Sequence, residues 1–200
     1  VSATEPVDPI SRFRTVIDEA MRIPRDVMPE PNAFALATVS ADGAPSVRIV
    51  LLKTVDERGF VFYTNFESRK GRELLATHRA ALCFHWPTLE IQVRVEGRAE
   101  RVSDAEADEY FASRARGSQI GAWASQQSRP MASPGDLDLR VRATEARFAG
   151  VDVPRPPHWS GFLVRPTRIE FWKGMPSRLH VREVYSRGEA GEWTVERLYP

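Results

Sequence analysis

The chain has almost no cysteine, no long apolar run and almost no net charge, and each absence excludes a class of protein. Cys83 is the only cysteine in 200 residues, so no intrachain disulfide can form. It lies in the apolar run Ala80-Ala81-Leu82-Cys83-Phe84 and reads as a buried structural thiol on a strand, with a reactive thiol as the alternative. No apolar run approaches the ~18 residues of a membrane span. Lys and Arg number 28 against 27 Asp and Glu, and a net charge of +1 gives no global pull toward nucleic acid or membrane. Any anion site must therefore be a local cluster of basic side chains. The opening Val1-Ser2-Ala3-Thr4-Glu5 lacks the basic and apolar regions of a signal peptide, so a cytoplasmic protein is expected. No Gly-rich P-loop, Rossmann fingerprint or Gly-x-Ser-x-Gly elbow appears. His78, His85, His158 and His180 show no paired spacing for zinc, and no metal is expected.

What is present suits one domain over 1–200, with 42% hydrophobic residues and enough length to bury a core without disulfides or metal. Asp8-Pro9 reads as an N-cap followed by proline at the first helical position. Ile10, Phe13, Ile17, Ala20 and Met21 then recur at helical spacing, which predicts a helix over about 9–21. Strands are predicted at Phe34–Val39, Val47–Val55 and Phe60–Thr64, joined by the turns Ala41-Asp42-Gly43 and Asp56–Gly59 as an antiparallel meander. A helix at Ser68–Thr77 follows, capped by Ser68, and then strands at Ala81–Trp86 and Ile91–Val102. Helices are expected at Asp104–Arg114, capped by Ser103, and at Pro134–Phe148, capped by Ser133. Late strands are expected near Gly161–Val164, Arg168–Trp172, Glu183–Ser186 and Trp193–Leu198. The pattern is mainly β with peripheral helices, and a closed antiparallel barrel would remove the exposed edges of such a sheet.

Four segments carry groups suited to chemistry. Arg48-Ile49-Val50-Leu51-Leu52-Lys53 is an apolar strand with a basic residue at each end: either two surface charges or one wall of an anion site. Ser68-Arg69-Lys70 opens a helix, where free backbone N–H groups and basic side chains suit a phosphate. Tyr110, Arg114 and Ser118 are four residues apart and can face one way on a helix that runs on into a tight turn; the alternative is a solvated helix end. Phe171-Trp172 ends an apolar strand, and Arg178, His180 and Arg182 then alternate. On a strand these three point the same way, a costly arrangement without an anionic partner.

In order along the chain, these segments resemble the pyridoxamine 5′-phosphate oxidase family from about Asn32 to Pro200. The specific pieces are Arg48–Lys53, Phe62–Asn65 with Ser68–Lys70, Gln92–Gly97, Ser113-Arg114 with Gly117–Trp123, Pro154–Trp159, Ile169–Trp172 and Arg178–His180. The resemblance implies a split β-barrel whose homodimer interface holds two FMN molecules. By motif position FMN would be bound by Arg48, Ile49, Val50, Leu51, Leu52, Lys53, Tyr63, Thr64, Arg69, Lys70, Gln92, Gln127, Ser128, Trp172 and Arg182. A substrate phosphate would lie against Lys53, Tyr110, Arg114 and Ser118, with Arg178, Leu179 and His180 beside the substrate ring. Arg178 and His180 would be the catalytic pair. Two anion sites in one small domain suit a phosphorylated cofactor and a phosphorylated substrate. The flavin carries the redox step, so no acid–base dyad is required of the protein.

Three departures fall on the substrate side. No basic arm precedes the first helix, Glu30 stands where the family often has Asp, and Val181 replaces the Asp of Arg-Leu-His-Asp-Arg. The leading expectation is oxidation of pyridoxamine or pyridoxine 5′-phosphate to pyridoxal 5′-phosphate, with O2 reduced to H2O2. The alternatives are a flavin oxidase of phenazine biosynthesis acting on a reduced phenazine carboxylate, and a non-catalytic flavin-binding protein.

Overall fold

Asp8 caps the first helix through its carboxylate, which accepts from the Ser11 N–H at 2.8 Å, and Pro9 fills the first turn. In this computed structural model, which describes residues 8–200, the helix α1 spans Pro9–Met21. Its buried stripe holds the predicted Ile10, Phe13, Ile17 and Ala20, but Met21, expected in the same stripe, is exposed at the helix end. Phe13 is fully buried and meets the rings of Phe60 and Phe84 edge-on, each at 4.8 Å, so α1 closes one end of the sheet. Val1-Ser2-Ala3-Thr4-Glu5 and the rest of the stretch before α1 up to residue 7 lie outside the described residues.

The strands are β1 (Ala33–Val39), β2 (Pro45–Leu51), β3 (Thr54–Asp56), β4 (Gly59–Asn65), β5 (Arg79–Trp86), β6 (Ile91–Arg101), β7 (Trp159–Lys173), β8 (Val181–Arg187) and β9 (Trp193–Leu198). The remaining helices are α2 (Arg69–Thr77), α3 (Asp104–Ser113), α4 (Arg116–Ala124) and α5 (Asp136–Arg147). All strand pairs are antiparallel, in the order β2-β1-β5-β6-β7-β4-β3, with β8 on β7 and β9 on β8. The sheet curls into a split barrel around Phe34, Leu36, Phe60, Phe62, Phe84, Val93, Val95 and Ile169.

The architecture is the expected mainly-β one, but five local expectations are corrected. The strand expected at Val47–Val55 breaks at Leu52-Lys53. There the chain stops pairing with β1, where Leu52 N–H meets Asn32 O at 2.8 Å, and starts pairing with β4, where Lys53 N–H meets Val61 O at 2.9 Å. The meander is thus two hairpins, β1–β2 and β3–β4, at opposite ends of the strand order. The barrel is split at this seam, so β2 and β3 keep one free edge each among the described residues.

The strands expected at Gly161–Val164 and Arg168–Trp172 are one strand, β7. Pro166 reads as a break, but β6 holds both halves through a bulge at Glu96/Gly97. A Cβ on Gly97 would lie 2.1 Å from the Arg165 carbonyl, so only glycine lets the strands approach there. Before the bend β7 pairs with β4, and after it with β8.

The helix expected at Pro134–Phe148 is Asp136–Arg147, with Gly135 rather than Ser133 at its N-cap; Ser133 contributes only its carbonyl to a turn. Tyr110, Arg114 and Ser118 do not share one helix. Arg114 is extended (φ −73°, ψ 147°) between α3 and α4, and α4 itself had no sequence signal strong enough to separate it. Arg178 and His180 are not on a strand. Pro176–Arg178 forms a tight turn with φ of 58° and 60° at Ser177 and Arg178, and β8 begins only at Val181. The caps Ser68 and Ser103 are as expected, and Ser103 forms a capping box with Glu106.

Candidate active site

The seam between β2 and β3 opens into a cleft of about 690 Å³. Ile49, Val50, Leu51 and Lys53 come to it from the β2 side and Tyr63, Thr64 and Asn65 from β4. Lys70 reaches it from the first turn of α2, and Tyr110, Arg114 and Ser118 from the α3–α4 junction; Gln127 and Trp159 complete it. The structure therefore joins two sets of predicted residues, the strand-and-helix cations and the Tyr110–Arg114–Ser118 group, although the latter arrive on two helices. Gln119 ties those helices together by donating to the Phe111 carbonyl at 3.0 Å. Leu52 instead turns into the core.

The cleft is cationic and short of counter-ions. Lys70 donates to Gln127 Oε1 at 2.9 Å and has no carboxylate partner among the described residues. Burial, then the neighbouring Arg48 charge, lowers its pKa to about 8. The Arg114 guanidinium makes no hydrogen bond among the described residues; its Nη1 is buried without a partner, and burial lowers its pKa. Lys53 Nζ sits 5.9 Å from the Tyr110 ring centre. Thr64 Oγ1 is also buried and unpartnered. Tyr63, Tyr110 and Trp159 form a near-parallel trio, with Tyr63 4.0 Å from Tyr110 and 5.4 Å from Trp159 and the latter two 6.1 Å apart, and burial, then Glu106, pushes the Tyr63 phenol up to about 12.

Arg48 and Arg69 stand beside this cleft and are gathered by Glu73. Its buried carboxylate takes Arg69 Nε at 2.8 Å, Ser46 Oγ at 2.7 Å and Thr38 Oγ1 at 2.5 Å, with Arg48 Nη2 at 3.5 Å. Against the opposing cost of burial, bonds from Ser46, Thr38 and Arg69 hold its pKa at about 2. Sequence reading passed over Glu73; its i,i+4 spacing from Arg69 was the available signal. Ser128 lies in the turn after α4 with φ 68°.

The remaining predicted residues form a second group. Gln92, Trp172 and Arg182 are cross-strand neighbours on β6, β7 and β8. The His180 ring lies 4.5 Å from that of Trp172, and its Nδ1 accepts the Met175 N–H at 3.2 Å. Arg178 and Leu179 are exposed on the adjoining turn. Glu170, also passed over, is 2% exposed and binds both Arg94 and Arg182, the latter at 2.8 Å. Ile49 at the cleft and Glu170 in this group lie in one row, Ile49-Ala35-Cys83-Arg94-Glu170. Four strand spacings of ~4.8 Å put about 19 Å of curled sheet between them, and no residue of the second group lines the cleft. The sheet face between them carries Ala35, Ala37, Ala81 and Cys83, edged by Val47 and Ile49, which are 67% and 64% exposed. Cys83 is half-buried, and burial pushes its thiol up, against reactivity. Among the described residues no His/Cys/Asp/Glu cluster could hold a metal, and no helix is long and apolar enough to cross a membrane.

This fold defines a split-barrel protein with a cation-lined cleft at its seam. Residues 24–150 match the pyridoxamine 5′-phosphate oxidase family model, and residues 159–200 match the pyridoxine 5′-phosphate oxidase C-terminal dimerisation region. A pyridoxine/pyridoxamine 5′-phosphate oxidase of Myxococcus xanthus is 60% identical over 195 residues, covering 98% of this chain and 93% of its own. One of Brucella canis is 54% identical over 199 residues, covering 98% and 96%. Among solved structures, PhzG from Burkholderia lata in complex with tetrahydrophenazine-1-carboxylic acid superposes with a TM-score of 0.87 at 31% identity, covering 98% of this chain and 94% of that one. A pyridoxamine 5′-phosphate oxidase-related, FMN binding protein from Nostoc punctiforme shares the fold, with a TM-score of 0.75 at 19% identity, covering 98% and 100%. The chain belongs to the pyridoxamine 5′-phosphate oxidase family.

Proposed function

We propose that the protein is an FMN-dependent oxidase that converts pyridoxamine or pyridoxine 5′-phosphate to pyridoxal 5′-phosphate, with O2 reduced to H2O2. The observation that carries this reading is the cleft's set of cations without carboxylate partners, Lys53, Lys70 and Arg114, within a chain whose net charge is only +1. Lys70 and Arg114 are half-buried, and leaving such groups unpaired is costly unless an anion arrives, whereas Lys53 is exposed and adds its charge at the rim.

The donors fit a flavin phosphate: Thr64 Oγ1 is buried without a partner, and Lys70 is held below its ordinary pKa, as an anion would reverse. Arg48, Lys53, Tyr63, Thr64, Arg69 and Lys70 would hold FMN, with Gln92, Gln127, Ser128, Trp172 and Arg182 completing its contacts. When bound, FMN supplies the two-electron acceptor. Lys53, Tyr110, Arg114 and Ser118 take the substrate phosphate and fix the ring at one distance from the seam. Arg178 and His180 orient the ring and stabilise charge that develops on it during oxidation.

The reading includes a homodimer. The half-exposed sheet face of small apolar residues suits a second copy, and an isologous contact would carry the partner's Arg178–Arg182 segment toward the cleft. The match to a dimerisation region supports it. The likeness to PhzG favours a second reading, oxidation of a reduced phenazine carboxylate. The test is incubation of purified yellow holoprotein in air with pyridoxamine 5′-phosphate, following aldehyde and H2O2. Equal yields of both support the first reading; no aldehyde, with rapid oxidation of a dihydrophenazine carboxylate, supports the second.

A further inference from the structure

Arg114 differs from the arginines around it. Arg48 and Arg69 share Glu73, Arg94 and Arg182 share Glu170, and Arg155 holds Asp104 and Asp108. Arg114 meets no carboxylate among the described residues, yet it is half-buried. Its guanidinium lies over the Trp159 ring, 4.6 Å from the centre, with Phe111 next at 5.6 Å.

The Trp159 ring is itself rigidly held. It is 6% exposed, stacks on Tyr63 at 5.4 Å and 8°, and meets Phe111 edge-on at 5.1 Å and 69°. Its carbonyl accepts from Arg155 Nη1 at 3.0 Å, and Arg155 is anchored to α3 through Asp104 and Asp108. A carboxylate partner would orient a guanidinium but neutralise it. An aromatic face orients it and leaves its charge available.

We infer that Trp159 is the positioning residue for Arg114, holding the guanidinium by its ring face so that it meets the phosphate of the substrate with its charge uncompensated. This rests on the reading of the cleft as a phosphate-ester site. The role assigned to Trp159 is exercised through Arg114, over whose guanidinium its ring lies.

The test compares wild-type, Trp159→Phe and Trp159→Leu holoproteins by calorimetric titration with pyridoxal 5′-phosphate and with unphosphorylated pyridoxal. Removing the ring should weaken the phosphate ester by about tenfold, and a phenyl ring should restore all but about threefold. Pyridoxal affinity should stay within about twofold of wild type, since the neutral alcohol draws nothing from Arg114. In turnover the KM should rise while kcat holds. Equal losses for both ligands, a Phe variant as weak as the Leu variant, or an unchanged phosphate-ester affinity would each overturn the inference. If the Leu variant does not fold, the Phe variant decides in an Arg114→Ala background. Its phosphate-specific loss must vanish there, and a loss that persists refutes the role. Wild type that binds neither pyridoxal 5′-phosphate nor inorganic phosphate overturns the parent reading with it; wild type that binds while the variants fail these tests overturns this inference alone.

Discussion

Lys70 should take up a proton when an anion enters the cleft. Its ordinary pKa is 10.5, and burial, then Arg48, lowers it to about 8. A phosphate ester beside it is fully dianionic above pH 7, because its second pKa is ≈ 6, and it should return Lys70 to near its ordinary value. The uptake then follows from the fraction unprotonated beforehand: roughly 0.1 proton at pH 7, 0.5 at pH 8 and 0.9 at pH 9. FMN affinity for the apoprotein should fall progressively above pH 8, approaching about tenfold per unit. The same shift sets a stability trend with the opposite sign. Between about pH 8 and 10.5 the unfolded chain holds the proton that the folded one has released, so apoprotein stability from this group rises with pH in that window. The assay is FMN titration at pH 7, 8 and 9 in buffers of different ionisation enthalpy. Lys70→Arg keeps the charge and removes the titration, so its uptake should vanish. Equal uptake in the wild type and the Arg variant, or none in the wild type at pH 9, would refute the reasoning.

Glu73→Gln should cost at least about 2 kcal/mol in urea unfolding at pH 7, because Arg48 and Arg69 lose the carboxylate they share. Glu73 is held at about 2 against an ordinary 4.5, so its contribution is complete above pH 4.5 and fades as pH falls toward 2; a pH-independent difference across that range would contradict this. Gly97→Ala should lower Tm by about 6–12 degrees, on the order of 3 kcal/mol, since its Cβ would collide with the Arg165 carbonyl; an unchanged melt would mean the bulge relaxes freely. Arg178→Ala should reduce kcat/KM by about 10²-fold while the flavin spectrum and Tm persist, and a fall in Tm alone would make the turn structural.

Elements governed by local chemistry were legible in the sequence. Asp8-Pro9, Ser68 and Ser103 announce their helices because a cap acts within three or four residues. Features set by distant partners were not. Pro166 looks like a strand end, and nothing nearby shows that β6 bridges it through Gly97. Leu52-Lys53 reads as the middle of a strand because the seam changes the partner and leaves the apolar pattern intact. At the site, the Lys53, Lys70 and Arg114 groups were legible from their chemistry and do converge, while Tyr63 was reached only through the family resemblance. The charges of Arg48 and Arg69 looked free because Glu73 meets Arg48 only once α2 is folded against β1 and β2. Trp159 was visible within a motif, but its stacking on Tyr63 joins residues nearly a hundred positions apart.

β7 also sets when the molecule can be made. Phe62 of β4 pairs with Phe162 of β7, one hundred residues later, and β6 awaits the same strand. At a synthesis rate of ~5–20 residues per second, β4 spends roughly 5–20 s with only the three-residue β3 beside it. Throughout that interval Phe60 and Phe62, both fully buried in the finished protein, have no β7 to pair with. The nascent chain therefore carries the β3–β4 hairpin, with its two core phenylalanines, uncovered until β7 has been made. Slowing the ribosome before residue 159 should raise the share of chains lost to aggregation, whereas the same pause after residue 173 should not.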